Sequence, residues 1–99
     1  MTQVFENHVK QMLKEGKKTA GAWLQIASPI TAEIMSQSGF DWLVIDMEHG
    51  PGDTLTLVTQ LQAMKGTGCV PLVRPPWNDF NVLNIVDSIL RDCFKPSLR

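Results

Sequence analysis

The spacing of apolar residues changes repeatedly along the chain, and the changes divide it into helical and extended segments. The first segment has apolar residues every three to four positions, which is typical of one helix face, and Gly16 ends it. Those apolar residues are Val4, Phe5, Val9, Met12 and Leu13. An apolar run of strand length follows at residues 20–27. Ser28 and Pro29 then start a helix, because serine caps free N–H groups and proline has no N–H to leave unpaired.

The alternation of strand and helix occurs three times. The predicted strands cover residues 20–27, 40–45 and 69–73, and the helices after them start at Pro29, after Asp53 and at about Val82 and end at Gly39, Gly66 and about Arg91. Pro96 lies past the last helix. Apolar strands that alternate with helices predict an α/β fold with a parallel sheet. A doubly wound sheet and part of a (β/α)₈ barrel both fit, and 99 residues would supply about three of the barrel's eight units.

Charge and composition narrow the class of partner. Nine Lys and Arg residues nearly balance ten Asp and Glu residues, so the formal net charge of −1 gives no electrostatic footprint for nucleic acid or an anionic membrane. No apolar stretch approaches the roughly 18 residues of a membrane helix, and the N-terminus lacks the apolar segment of a secretory signal. Cys69 and Cys93 form no CxxC motif, and Cys69 fits a small buried residue. We expect a cytoplasmic protein that binds neither nucleic acid nor membrane.

Polar and aromatic residues cluster in the sequence where the predicted strands end. They are Trp23 and Gln25 near the end of the first strand, Asp46, Glu48 and His49 after the second, and Arg74 after the third. In both architectures ligands bind at the carboxyl ends of strands, so we expect these residues to share one rim. Histidine suits proton transfer near neutral pH, Asp46 is placed to orient the His49 ring, and Arg74 offers a fork of donors to a carboxylate or an enolate. This set suits proton abstraction or carbon–carbon bond chemistry on a small keto acid.

Each of these residues also has an ordinary structural interpretation. Asp46 and Glu48 could cap the following helix or face water, and Arg74 could pair with a neighbouring loop. Trp23 and Trp42 would more often pack in a core than line a ligand site. Residue type and position leave these alternatives open.

Several short motifs occur in order along the chain. They are GAWLQ (21–25), AEI (32–34), GFDWLVIDMEH (39–49), QLQA (60–63), PLVRP (71–75) and WND (77–79). With these motifs the sequence resembles the HpcH/HpaI aldolases, metal-dependent class II lyases that cleave 4-hydroxy-2-oxo acids to pyruvate and an aldehyde. The resemblance covers about residues 4–79. It suggests one partial aldolase domain over residues 1–99, family-like to about residue 79 and divergent over 80–99.

The resemblance implies the N-terminal part of a (β/α)₈ (TIM) barrel, usually assembled into homo-hexamers, with a divalent metal such as Mg²⁺ or Mn²⁺ and a small keto acid as substrate. It implies that His49 is the catalytic base, acting with a water, and that Arg74 binds the pyruvate end and stabilises the enolate. Asp46 is implied as a catalytic neighbour of that base, with Glu48 at the rim of the metal site. Trp23 and Gln25 are implied as substrate-binding residues.

The sequence departs from the family pattern in two respects. The family's metal ligands, a glutamate and an aspartate on later strands, have no counterpart. The nearest candidate for the carboxylate that supports the base is Asp87, which falls one position early, about 100° of helix rotation. Two interpretations are therefore open. The chain is an aldolase, or it is a truncated, non-catalytic fragment that associates with itself or with a complementing chain. A compact α/β binding module unrelated to aldolases would explain the strand order but not the motifs.

Overall fold

The computed structural model describes residues 8–94, and their element order matches the predicted one. In chain order the elements are α1 (His8–Lys14), β1 (Gly21–Leu24), α2 (Pro29–Ser36), β2 (Trp42–Asp46), α3 (Thr54–Met64), β3 (Val70–Arg74) and α4 (Phe80–Phe94). The predicted beginning of the first helix, at Val4 and Phe5, lies outside the described residues, as does Pro96. A helix followed by three strand–helix units is confirmed.

The three strands form one parallel sheet in the order β1-β2-β3. Leu24 pairs with Ile45, Ile45 pairs with Val73, and Asp46 pairs with Arg74. The α/β class with a parallel sheet is therefore confirmed. Because the three strands are parallel and adjacent, their carboxyl ends meet at one edge.

Side-chain caps set the starts of the helices. Ser28 Oγ accepts a hydrogen bond from the backbone N–H of Thr31 at 3.3 Å. Asp53 Oδ1 accepts from the N–H of Thr56 at 2.8 Å and from its hydroxyl at 2.7 Å. Asp79 Oδ1 bonds the N–H of Asn81 at 2.9 Å, so α4 begins at Phe80, two residues before its predicted start. The first two caps are those that the sequence predicted.

The first strand is shorter than predicted. The apolar run over 20–27 suggested a strand of that length, but β1 ends at Leu24. The carbonyl of Ile26 instead accepts from the backbone N–H of Ser28 at 2.9 Å and from Gln60 Nε2 at 3.2 Å. These bonds turn the backbone toward the start of α2, so Ile26 leaves the ladder despite its apolar side chain.

The core lies between the sheet and the helices. Its buried apolar residues come from all three strand regions and from α2, α3 and α4, namely Leu24, Ala32, Leu43, Ile45, Met47, Leu57, Leu61, Met64, Cys69 and Val86. Side chains alternate along a strand, so Trp23, Val44 and Leu72, which are paired in register, point to the opposite face. Trp23 and Leu72 are exposed there, so in the described residues this face is open beside the strand ends.

Cys69 bears out one expectation from the sequence. Cys69 is buried, its thiol is free, and burial raises its pKa to about 11, so it stays protonated near neutral pH. It is the small buried residue that the sequence predicted. Within residues 8–94 the structure has no helix with both the length and the apolarity needed to cross a bilayer.

We predict unequal effects for two leucines of α3. Leu61 is fully buried in the core, whereas Leu55, on the first turn of the same helix, is 72% exposed. Leu61→Ala leaves a cavity and should lower the free energy of unfolding by about 2–5 kcal/mol. Leu55→Ala should change it by less than about 0.5 kcal/mol. Urea unfolding followed by circular dichroism measures both values, and equal losses would contradict the position of the core.

Candidate active site

Asp46, the last residue of β2, organises the edge where the strands end. Its side chain has 0% exposed surface. Its Oδ1 accepts from Arg74 Nε at 3.2 Å and from the backbone N–H groups of Glu48 at 2.9 Å and His49 at 3.0 Å. Its Oδ2 accepts from Arg74 Nη2 at 2.6 Å and from Trp23 Nε1 at 3.0 Å. One buried carboxylate therefore holds groups from β1, from β3 and from the loop after β2.

The backbone brings these groups together. Asp46 and Arg74 are register partners in the parallel sheet, and the N–H of Met47 donates to the carbonyl of Arg74 at 2.9 Å. A Cβ on Gly50 would collide with the backbone oxygen of Asp46 and would lie 2.8 Å from that of Gln25. The loop after β2 can thus close against the end of β1 only because residue 50 has no side chain.

Opposite charges stabilise each other within this cluster. The Arg74 guanidinium holds the pKa of the Asp46 carboxyl far below its usual range, against the opposing effect of burial. The backbone N–H of His49 and the Trp23 indole lower the same pKa further. The hydrogen bonds to Asp46 in turn raise the pKa of Arg74. Both groups therefore remain charged near neutral pH.

Glu48 and His49 form the solvent-exposed rim. Glu48 Oε1 lies 3.5 Å from Arg74 Nε and 3.5 Å from His49 Nε2, and the His49 side chain is 64% exposed. The sequence suggested that Asp46 would orient the His49 ring. In the structure Asp46 accepts from the backbone N–H of His49, and the neighbouring carboxylate of the ring is that of Glu48. The Asp46 side chain is buried, whereas the His49 ring is 64% exposed at the rim beside Glu48.

Trp23 lies at the site and not in the core. Trp23 exposes 51% of its surface. Its ring centroid is 5.4 Å from the Arg74 guanidinium carbon, within range of a cation–π interaction. The prediction that Trp23 packs in a core was therefore wrong. Trp42, in contrast, is half-buried and packs over Gly21, where a Cβ would collide with its ring. In the register of the sheet Trp23 lies opposite Val44, on the face that the described helices do not cover.

Two further candidates lie in different places. Gln25 is exposed directly beyond the end of β1, on the rim that the sequence predicted. Asp87 is exposed on α4 and accepts a hydrogen bond from Arg91 Nε at 2.8 Å. The structure thus gives Asp87 a partner on its own helix, one turn away.

The family resemblance implies a divalent metal, and the side chains of the described residues can be compared with what such an ion requires. Within residues 8–94 no three His, Cys, Asp or Glu side chains are grouped so that they could hold an ion. Asp46, the carboxylate at the centre of the cluster, already accepts five hydrogen bonds. The described residues therefore do not fit a divalent metal site by themselves. The half-exposed Arg74 bonds Asp46 through Nε and Nη2, so its other terminal nitrogen can donate to a ligand.

Comparisons with known proteins agree on one family. The sequence model of the HpcH/HpaI aldolase/citrate lyase family matches residues 19–95, a span that contains the whole Asp46 cluster. A 5-keto-4-deoxy-D-glucarate aldolase of Salmonella newport is 46% identical over 76 residues, which are 77% of this chain and 30% of that protein. The chain thus spans about 30% of the length of the curated relatives it matches.

Solved structures agree in fold. An HpcH/HpaI aldolase/citrate lyase family protein from Burkholderia cenocepacia has a TM-score of 0.74 at 32% identity, covering 85% of this chain and 34% of that one. The citrate synthase SbnG has a TM-score of 0.77 at 26% identity, with coverage of 85% and 34%. The three strand–helix units therefore correspond to about a third of each of these chains.

We predict that Asp46→Asn is far more destabilising than Asp87→Asn. Both residues pair with an arginine, but Asp46 is buried and Asp87 is exposed. The amide at position 46 cannot accept all five donors, so the loss should be about 3 kcal/mol. Loss of the exposed pair on α4 should cost at most about 0.5 kcal/mol. Urea unfolding of both variants measures the difference, and similar values would contradict the central position of Asp46.

We also predict how the Asp46 contribution depends on pH. Its folded-state pKa is lowered, so its contribution is fully present above the pKa of aspartate in an unfolded chain, about 3.9, and is lost as pH falls below it. The difference in unfolding free energy between the wild-type chain and Asp46→Asn should be constant from pH 7 to about pH 5 and shrink below about pH 4. Chemical unfolding at a series of pH values measures it. A difference that grows on acidification would refute the assignment.

Proposed function

This chain belongs to the HpcH/HpaI aldolase/citrate lyase family, and we propose that its strand ends form the keto-acid half of an aldolase site. The reaction is retro-aldol cleavage of a 4-hydroxy-2-oxo acid to pyruvate and an aldehyde. The observation that carries this proposal is the guanidinium of Arg74, fixed by a buried carboxylate beside an exposed histidine. The name of the Salmonella relative, a keto-deoxy-glucarate aldolase, supports a small keto acid as substrate.

The mechanism assigns one task to each of two side chains. His49 accepts the proton of the substrate's 4-hydroxyl, the bond between C3 and C4 breaks, and the aldehyde leaves. The electron pair of that bond forms the enolate of pyruvate, whose negative oxygen is stabilised by Arg74. The imidazolium of His49 then gives the proton that it took up to C3 of the enolate, which forms the methyl group of pyruvate and restores the base. A charged, pre-oriented donor is suited to this step because it need not reorganise as charge develops.

Asp46 acts in this proposal through Arg74. Its oxygens are filled by five donors and its side chain has no exposed surface, so it holds the guanidinium and does not reach a substrate. Trp23 and Gln25 are proposed as substrate-binding residues at the same edge, and Glu48 as the carboxylate beside the base.

Members of this family are generally metal-dependent, and a divalent ion such as Mg²⁺ or Mn²⁺ stays a prediction for this protein. The described residues do not fit such a site, so the steps assigned here concern Arg74 and His49 alone. A homo-oligomer, which the family resemblance implies, and a cytoplasmic location, which the composition and the cysteines suggest, belong to the same proposal.

A second candidate function is association without catalysis. β1 and β3 each have one neighbour in the described sheet, so each leaves a row of backbone N–H and C=O groups without a strand partner. Those edges could pair with another copy of the chain or with a complementing chain. Size-exclusion chromatography with light scattering distinguishes a monomer from such assemblies.

We predict that the chain exchanges the methyl protons of pyruvate for deuterium, since enolisation requires no aldehyde. His49→Ala should slow the exchange by about 100-fold or more, because the base is lost. Arg74→Lys should slow it by at least about 10-fold, because an ammonium group cannot reproduce the planar fork. Proton NMR in D₂O, with and without added Mg²⁺ or Mn²⁺, measures the rate.

The matched control is His8→Ala, which removes an exposed histidine on α1 and should leave the rate unchanged. Circular dichroism must show that each variant is folded. A folded wild-type chain that gives no exchange under any of these conditions would contradict the proposed function and leave association without catalysis.

A further inference from the structure

Trp23 contacts both members of the buried ion pair. Its indole N–H donates to Asp46 Oδ2 at 3.0 Å, and its ring lies 5.4 Å from the guanidinium carbon of Arg74. Oδ2 is also the oxygen that accepts the shortest bond of Arg74, from Nη2 at 2.6 Å. The indole and the guanidinium thus meet at one oxygen atom.

The two oxygens of Asp46 are held by different kinds of donor. Oδ1 accepts from two backbone N–H groups, those of Glu48 and His49, in addition to Arg74 Nε. Within residues 8–94, Oδ2 accepts only from the side chains of Trp23 and Arg74. The torsion that turns an aspartate carboxylate has a broad preference of its own, so its angle is set by its partners. The Trp23 N–H is the one donor to Oδ2 that does not move with Arg74.

We propose that Trp23 is a positioning residue for Arg74: its indole N–H fixes the plane of the Asp46 carboxylate, and that plane fixes the guanidinium fork. This inference rests on the proposed function, in which Arg74 stabilises the enolate oxygen. It assigns to the indole a task distinct from lining the substrate pocket. The ring contact with Arg74 adds to the same effect, since a cation is attracted to the face of an indole.

Positioning and substrate lining predict different kinetics for Trp23→Phe. Phenylalanine keeps an aromatic ring near Arg74 and removes only the N–H donor. A misplaced guanidinium weakens stabilisation of the enolate more than binding of pyruvate, so kcat should fall while KM changes little. A residue that only lined the pocket would contribute equally to substrate and transition state, and its loss would raise KM.

The first test is the rate of deuterium exchange into pyruvate as a function of pyruvate concentration. Trp23→Phe should lower kcat by about 10-fold, since small misplacements of a catalytic group have effects of this size or larger. KM should stay within about 2-fold of the wild-type value, as expected when the lost interaction is made only in the transition state. Trp77→Phe, a change at an exposed tryptophan in the loop before α4, is the matched control and should leave both constants unchanged. A raised KM with an unchanged kcat, or no effect, would overturn the proposal.

The second test reports on Arg74 without any activity. In ¹⁵N-labelled chain the Arg74 Nε–H should exchange slowly with water, and Trp23→Phe should accelerate this exchange by at least about 5-fold, because the hydrogen bond to Asp46 weakens. The Nε–H of Arg91, in its exposed pair with Asp87, is the internal control and should not change. The indole signals of Trp42 and Trp77 should persist and show that the variant is folded.

The two tests separate the two proposals. If the wild-type chain gives no deuterium exchange, the proposed function is wrong, and the Arg74 Nε–H signal alone decides whether Trp23 holds the guanidinium. If the wild-type chain exchanges and Trp23→Phe alters neither kcat nor the Arg74 signal, the positioning role is wrong and the proposed function stands.

Discussion

The burial of one negative charge, the carboxylate of Asp46, sets the arrangement of the strand ends. A buried carboxylate is unfavourable unless it is paired and hydrogen-bonded, and here five hydrogen bonds from Trp23, Arg74 and the backbone after β2 satisfy it. Two of these donors are local to the loop after β2, and those of Trp23 and Arg74 reach Asp46 because β2 pairs with β1 and β3 in this register. A shift of β2 by one residue would turn the carboxylate toward the helices, where the apolar core lies. The ion pair and the register of the sheet therefore depend on each other.

This dependence divides the edge of the sheet into a fixed part and an exposed part. Arg74 is bound through two nitrogens to a carboxylate with no exposed surface, and its own side chain is 38% exposed. His49 lies in the loop after β2, with a more exposed ring beside Glu48. A group that stabilises developing charge benefits from a fixed position, because reorientation would cost free energy when the charge forms. The sheet provides that position for Arg74, and the loop leaves the ring of His49 exposed to solvent.

Local signals in the sequence were sufficient for most of the fold, and a contact between distant residues explains why β1 is shorter than predicted. Ser28 and Asp53 cap helices within three residues of themselves, so the sequence alone identifies them. The end of β1 depends on Gln60, which bonds the carbonyl of Ile26 from 34 residues away and leaves no trace in the local pattern. The start of α4 differs from the predicted one for a local reason. Asp79 caps the helix at Phe80, two residues before the apolar spacing begins.

The sequence predicted that the polar residues at the strand ends would lie close together, but it did not predict which hydrogen bonds they would form. Parallel strands end at one edge, so the strand ends alone indicated that Asp46 and Arg74 would meet. The sequence could not indicate that Asp46 would bond the backbone N–H of His49 while the His49 ring would lie beside Glu48. Those contacts depend on the conformation of the loop after β2. Nor could it separate an exposed Trp23 from a buried one, since this depends on the sheet face that the helices cover.

The same hydrogen bonds therefore serve stability and the proposed chemistry at once. Removing a donor to Asp46 leaves a buried charge less satisfied, and it also loosens the guanidinium that would meet the enolate. In an enzyme whose anchoring arginine lay free on the surface, these two effects could be separated by mutation. Here the loss of stability and the loosening of the guanidinium both act through the Asp46 carboxylate. A change at Trp23 is the one expected to affect stability least relative to its effect on the guanidinium. Its indole donates one of five bonds to Asp46, so its loss costs little of the buried pair while it removes the donor that sets the angle of the fork.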